Sequence, residues 1–78
     1  MSYTMVTMQD LATGQIVDIV KNGNTYNVDF TDKETFVTKK FRTLKEAQET
    51  YLKIVNYFIQ GLYTFEQRAK ELTDKELI

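Results

Sequence analysis

The chain has 78 residues, with ten basic and eleven acidic side chains and a formal net charge of −1 at pH 7. A chain of this length forms one domain with a small core and modest stability. It lacks cysteine and histidine, which excludes disulfides, zinc–thiolate staples and the commonest general base. The near balance of charge argues against a generally polybasic nucleic-acid binder and against an acidic disordered tail.

The first half of the chain has the patterning of an antiparallel sheet. Short apolar and β-branched runs alternate with turn residues, and they predict strands over about 3–8, 15–21, 25–31 and 35–41. Two sets of side chains in the last strand could point towards the core. Either Val37 and Phe41 point inward, with the stem of Lys39 lying along the apolar surface, or Phe36 points inward instead.

The pair Asn22-Gly23 predicts a tight hairpin between the second and third strands. Such a pair is preferred in type I′ turns, where both central residues need positive φ. Closing the hairpin on it places Ile19 opposite Tyr26 and Asp18 opposite Asn27, with Val17 opposite Val28. Apolar side chains then share one face, and a one-residue slip would send Asp18 to that face.

The second half predicts two helices. Thr43-Leu44-Lys45-Glu46 has the form of a capping box, and it predicts a helix over about 44–60 that ends at Gly61. Apolar residues at positions 44, 47, 51, 54, 55, 58 and 62 form one stripe able to cover a sheet face. A second capping box, Thr64 to Gln67, predicts a short helix over about 65–77. We therefore predict one α+β domain over 1–78: an antiparallel three- to four-stranded meander sheet, packed on one face by the long helix and followed by the short one.

The sequence offers little for catalysis. Ser2 is the only serine, and the three glycines are isolated, so neither a serine triad nor a glycine-rich phosphate loop is present. Asp29, Asp32 and Glu34 cluster near one turn, where they would suit only a cation that prefers oxygen ligands. Ordinary turn polarity explains them better. We expect no enzymatic activity, no cofactor, no metal site and no small-molecule substrate.

A basic corner follows the last strand. Residues 39–53 carry five basic and two acidic side chains, whereas residues 1–38 carry two basic and five acidic ones. Such a corner, beside the amides of a helix N-terminus, is able to contact phosphates, although edge lysines also protect a sheet from pairing. For nucleic acid, the candidate residues are Lys39, Lys40, Arg42 and Lys45, with Thr25 and Asn27 on the open sheet face.

The segment Phe41-Arg42-Thr43-Leu44-Lys45-Glu46-Ala47, preceded by Lys39-Lys40, resembles part of a known family. It is similar to the phrase Phe-x-Thr-x-x-Glu-Ala in the arm-type N-terminal DNA-binding domain of phage-type tyrosine recombinases. That family has a three-stranded sheet followed by a helix, so the resemblance implies DNA binding. The sheet face with which that family reads DNA is basic and polar, whereas the corresponding face of this chain is expected to carry Asp18 and Asp29. The short, charge-balanced chain also looks like phage and mobile-element accessory proteins, many of which block a host protein.

Ten tyrosine and phenylalanine side chains are a high density for 78 residues, and several follow the long helix. Those that fall off the inward stripe either form an exposed patch or are covered by the second helix. An exposed patch predicts a protein partner or a homodimer, and the candidate residues are Tyr57, Ile59, Leu62, Tyr63 and Phe65. Neither an export signal nor a membrane-spanning stretch is recognisable, so a cytoplasmic, non-catalytic protein-interaction module is the expected function.

Overall fold

The computed structural model of the protein describes residues 2–33, 35–61, 68, 69 and 72. Within these residues, four antiparallel strands form one sheet in the order β1-β2-β3-β4, and one long helix follows them. The elements are β1 (Ser2–Gln9), β2 (Ile16–Asn22), β3 (Thr25–Thr31), β4 (Phe36–Phe41) and α1 (Leu44–Gln60). The predicted α+β class, the meander order and the four strands are confirmed.

The hairpin between β2 and β3 differs from the predicted register by two residues. Asn22 pairs with Thr25, so Gly23 and Asn24 are the central turn residues, and only Gly23 has positive φ, at 63°. This fits a type II′ turn, which needs positive φ only at its first central position. The shift by two keeps every side chain on its predicted face, because side chains alternate with a period of two.

Packing explains why this register is preferred. It sets Val17 opposite Phe30 and Ile19 opposite Val28, which are the most apolar cross-strand pairs that the two strands can make. It also sets Lys21 opposite Tyr26, and the Lys21 amine lies 3.2 Å from the tyrosine hydroxyl and 4.7 Å from the ring centre. In exchange, Asp18 lies opposite Asp29 on the open face, and not opposite Asn27 as predicted.

Both predicted ends of α1 are confirmed. The Thr43 hydroxyl accepts a hydrogen bond from the Glu46 amide at 3.2 Å and donates one to the Glu46 carboxylate at 3.0 Å. Gly61 adopts the left-handed conformation, with φ of 65°, and its N–H donates to the carbonyl of Tyr57 at 2.9 Å. Such caps satisfy amide and carbonyl groups that the helix leaves unpaired at its ends.

The core lies between α1 and one face of the sheet. Its buried apolar side chains come from β2, β3 and α1 and from two residues beyond the helix: Val17, Ile19, Val28, Phe30, Ala47, Tyr51, Ile54, Ala69 and Leu72. In β4, Val37 and Phe41 pack against this core while Phe36 is exposed, which decides between the two predicted facings. The Lys39 amine lies 5.4 Å from the Phe41 ring centre, so its stem follows the apolar surface as that facing requires.

The short second helix predicted over 65–77 falls mostly outside the described residues. Of that range only three residues are described: Arg68 and Ala69 have helical backbone, and Leu72 lies in a turn. The described residues contain one complete helix, α1. Over these same residues, no helix combines the length and the apolar character that crossing a membrane requires.

Candidate protein-interaction site

The apolar face of β1 is only partly covered by the helix. In the sheet, Val6 lies opposite Ile19 and Met8 lies opposite Val17, so both face the same side as the core. However, α1 packs chiefly on β2 and β3, and less on β4. A helix is about 10 Å across and strands lie about 4.8 Å apart, so one helix covers about two strands. Every residue of β1 is consequently exposed to some extent, including its apolar ones.

A groove therefore runs between β1 and the near side of α1. We call it the β1–α1 groove, and its apolar wall residues are Val6, Met8, Leu11, Leu52, Val55 and Ile59. Leu11 is 88% exposed at the tip of the loop after β1, and Ile59 is 78% exposed near the end of α1. Because positions 52, 55 and 59 are spaced by three and four residues, they form one line along the helix, as in a helix–helix seam.

Two cavities lie along the groove. The one nearer the start of α1 has a volume of about 350 Å³ and is lined by Val6, Ile19, Gln48, Tyr51 and Leu52. The other, of about 340 Å³, lies between Met8 to Ala12 and the last turns of the helix. Burial raises the pKa of the Tyr51 hydroxyl above 10.0, and the negative charge of Asp18 adds to this effect. The Tyr51 hydroxyl is therefore uncharged at neutral pH, and the groove walls are mainly apolar, with Asp10 as a charged residue among those that line the second cavity.

The two edges of the sheet differ in charge. β1 has no charged residue among its eight, whereas β4 carries Lys39 and Lys40. Lysines on an edge strand oppose pairing with the strand of another chain, and an uncharged edge lacks that protection. The only irregularity in β1 is a bulge between Thr4 and Val6, which leaves a regular segment from Val6 to Gln9.

A buried arginine lies at the end of the groove that is nearer the C-terminus of α1. Arg68 is 1% exposed, and its guanidinium donates to the Asp10 carboxylate at 3.0 Å, to the Gln15 side-chain oxygen and to the Tyr57 carbonyl at 3.3 Å. The guanidinium carbon lies 5.0 Å from the Phe58 ring centre. This one side chain therefore joins the loop after β1 to the end of α1 and fixes the separation of the two groove walls there.

Asp10 is held in its charged form by these contacts. Burial acts to raise its pKa, but hydrogen bonds from the Arg68 side chain, the Ala12 amide and the Thr13 side chain, together with the Arg68 charge, outweigh burial and lower the pKa below 3.8. The Ala12 amide lies 3.1 Å from the carboxylate. The loop that carries Leu11 is thus ordered around an ionised carboxylate.

The lowered pKa of Asp10 makes the stability of the protein depend on pH in the acidic range. Ionised Asp10 contributes its full stabilisation above the ordinary value of 3.8, and this is lost as the pH falls below that value towards the lowered pKa of the folded state. We expect Asp10→Asn to flatten the fall in the free energy of unfolding between about pH 5 and pH 2. Urea unfolding at a series of pH values measures this slope. An unchanged slope in the variant would show that Asp10 titrates alike in the folded and unfolded chains.

The basic candidates are divided between the two faces of β4. Lys40 lies on the open face, directly opposite Asn27, and Thr25 lies two residues along the same face of β3. Lys39 lies on the helix side beside Phe41. Arg42 and Lys45 are exposed at the turn into α1. Asp18 and Asp29 also lie on the open face, where Asp29 accepts a hydrogen bond from Thr38.

The aromatic candidates are only partly described. Ile59 is exposed and lines the groove, whereas Tyr57 is half-buried and its carbonyl accepts from both Gly61 and Arg68. Leu62, Tyr63 and Phe65 lie outside the described residues. Of the predicted patch, Ile59 is therefore the residue whose exposure the structure supports.

The carboxylates near the β3–β4 turn do not form a recognisable metal site among the described residues, which contain no group of three potential ligands. Asp29 accepts from Thr38, and Asp32 accepts from the Lys33 amide at 2.8 Å. Glu34 lies outside the part of the chain that is described.

Sequence reasoning did not find the groove residues on β1 or the role of Arg68. The uncharged run from Ser2 to Gln9 was a usable signal for the groove residues on β1, since an edge strand without charge is unusual. No local pattern signals the role of Arg68, because Arg68 and Asp10 are separated by 58 positions in the chain.

Comparison with models of protein families, with curated protein sequences and with solved structures finds no significant match to this chain. The fold and the groove therefore define its class, which is a small α+β protein with one helix on a four-stranded sheet and an apolar groove beside an uncharged edge strand.

Proposed function

We propose that the protein is a non-catalytic interaction module that binds an amphipathic helix of another protein in the β1–α1 groove. The observation that carries this proposal is the exposure of apolar residues on both walls of one groove. Val6, Met8 and Leu11 face Leu52 and Ile59, and all five are more than a third exposed. Soluble chains keep such patches small, and larger ones mark surfaces that bind a partner.

A helix fits this groove better than an extended peptide. Packed helices lie about 8–10 Å apart, which places a second helix beside α1 and above β1. The line of Leu52, Val55 and Ile59 has the spacing that helix–helix seams use. Anchors at i, i+3, i+4 and i+7 on the incoming helix would enter the two cavities in turn.

Binding of nucleic acid by the open face has weaker support. Lys40 and Asn27 lie side by side there, and Thr25 is near. However, Asp18 and Asp29 place two carboxylates in the middle of that face, and these repel phosphate. A DNA duplex is consequently included in the test below as the competing ligand.

The test uses a synthetic amphipathic helix of about 18 residues, with leucines at heptad positions and Glu and Lys elsewhere. We expect its titration into labelled protein to shift the NMR methyl signals of Met8, Leu52 and Ile59, and to leave Val20 on the open face unchanged. Leu52→Glu is expected to weaken binding by tenfold or more, because a carboxylate would then be placed in an apolar contact.

Phe36→Glu is the matched control. Phe36 is 59% exposed and Leu52 is 60% exposed, but Phe36 lies on the open face of the sheet, away from the groove. The control is expected to bind the peptide like the wild type. Equal effects of the two variants, or methyl shifts spread over both faces, would contradict the groove. Salt-sensitive binding of the duplex that is lost in the Lys40→Ala, Arg42→Ala variant would favour the nucleic-acid function instead.

A further inference from the structure

The uncharged edge of the sheet leads to a second inference, which stands on observations other than the groove exposure. Among the described residues, β1 is an edge strand of the sheet, all eight of its residues are exposed, and none of Ser2–Gln9 is charged. The other edge, β4, carries Lys39 and Lys40. An edge of this kind is open to pairing with another strand, and the lysine-bearing edge is protected from it.

We propose that β1 pairs with β1 of a second copy of this chain, antiparallel and about a two-fold axis at Thr7. In such a pairing every side chain faces one from the same strand, so a charged residue in the segment would lie near its own like charge. β1 contains none. The second copy is therefore electrostatically compatible with this edge, and the net charge of −1 per chain adds little repulsion.

The arrangement of the edges also closes the assembly. When the two β1 strands pair, the two β4 strands become the outer edges of an eight-stranded sheet. Each outer edge carries Lys39 and Lys40, which oppose the addition of a further chain. Pairing of β1 with β4 would instead be head-to-tail and able to grow into a filament. The lysines on one edge alone thus favour a closed dimer.

The axis is placed at Thr7 by two features of the strand. The bulge before Val6 and the carboxylate of Asp10 limit the regular, uncharged segment to Val6–Gln9. A two-fold axis between antiparallel strands is perpendicular to the sheet, so opposing residues lie on the same face and both helices lie on one side. An axis at Thr7 pairs Val6 with Met8 of the partner subunit, twice, on the helix side.

The alternative axis at Met8 is less favourable. It would set Val6 opposite Asp10 of the partner subunit, and so place an ionised carboxylate against an apolar side chain. With the axis at Thr7, the two β1–α1 grooves adjoin and form one apolar trough between the two α1 helices. The dimer would thereby present two neighbouring sites for partner helices.

Cysteine cross-linking tests the position of the axis. The chain has no cysteine, so Thr7→Cys introduces a single thiol. Directly opposed residues of antiparallel strands have Cα atoms about 4.5–5.5 Å apart, which is within the range that a disulfide spans. We expect mild oxidation to convert Thr7→Cys into a disulfide-linked dimer. Thr38→Cys, an exposed threonine on β4, is the control and is expected to stay mainly uncross-linked.

Light scattering coupled to size exclusion tests the association itself. We expect the wild type to have twice the 9.2 kDa mass of one chain, and Thr7→Lys to have the mass of a single chain, because two lysines would meet at the axis. Thr38→Lys is expected to remain dimeric. The pair is well matched, since Thr7 lies opposite Asp18 and Thr38 lies opposite Asp29, so each new lysine faces an aspartate of its own chain.

A wild-type mass of 9.2 kDa at about 100 μM, with equal cross-linking of the two cysteine variants, would overturn the proposal. The failure of the dimer and the failure of groove binding are distinguishable. Leu52→Glu is expected to lose the peptide but keep the dimer, and Thr7→Lys is expected to lose the dimer but keep the peptide-dependent methyl shifts.

Discussion

Arg68→Ala is expected to destabilise the fold by about 3–5 kcal/mol, the cost that is typical of removing one partner of a buried ion pair. The guanidinium is 1% exposed, and the carboxylate of Asp10 beside it is 10% exposed. The substitution would leave that carboxylate without its charge partner, and would leave the Gln15 side-chain oxygen and the Tyr57 carbonyl without this donor. It would also open a cavity beside Phe58.

The size of this effect is large against the whole stability of the protein. Domains are stable by about 5–15 kcal/mol, and a chain of 78 residues is expected near the lower end of that range. Urea unfolding followed by circular dichroism measures the change. Arg42→Ala is the control, because Arg42 is exposed at the turn into α1 and its loss is expected to cost less than about 0.5 kcal/mol.

A double-mutant cycle separates the ion pair from the other contacts of Arg68. Asp10→Asn removes the negative charge and keeps the shape of the side chain, and Arg68→Met removes the positive charge and keeps most of the volume. We expect the double variant to be more stable than the sum of the two single changes predicts, because it leaves no buried charge unpaired. Strict additivity would show that Arg68 stabilises the fold through packing and the two oxygen contacts alone.

The parts of the fold that were predictable are those determined by residues close together in sequence. Thr43 and Glu46 mark the start of α1, and Gly61 marks its end, because caps act within one helical turn. The four strands and their facing follow from alternation, which a two-residue shift in pairing does not change. That is why the faces of β2 and β3 were correct although the predicted partners were wrong.

The register itself was decided by contacts across the sheet. The Asn22-Gly23 pair favours one turn, but closing on Gly23 and Asn24 places Phe30 opposite Val17 and Tyr26 opposite Lys21. Each favourable cross-strand pair is worth about 0.2–1 kcal/mol, so several pairs together outweigh the preference of one turn. Local turn chemistry alone could not have shown this.

The candidate site was less predictable than the fold for a similar reason. The apolar positions of β1 are visible in the sequence, but their exposure depends on which strands α1 covers, and this is a property of the packed structure. Ile59 was identified because it lies beside tyrosines that fall off the inward stripe of the helix. Leu52 occupies a comparable position, but only the groove shows that these two residues line the same surface.

Phe30→Ala is expected to have an effect as large as the loss of Arg68, about 3–5 kcal/mol, since truncation of a fully buried phenylalanine removes its packing and leaves a cavity. Phe30 is entirely buried in β3, lies opposite Val17, and has its ring centre 5.9 Å from that of Phe58. A cavity here would separate the sheet from the last turns of α1. Phe30→Leu preserves most of the volume and is expected to cost less than about 1.5 kcal/mol.

Phe36→Ala makes the same chemical change on the neighbouring strand and serves as the matched control. Phe36 lies opposite Thr31, one position away from the Phe30–Val37 pair, and therefore points to the open face of the sheet. Its loss is expected to change the free energy of unfolding by no more than about 0.5 kcal/mol. Urea midpoints of the two variants, measured side by side, compare the two faces directly. If Phe36→Ala were the more damaging change, the helix would have to cover the opposite face, and the β1–α1 groove would not exist as described.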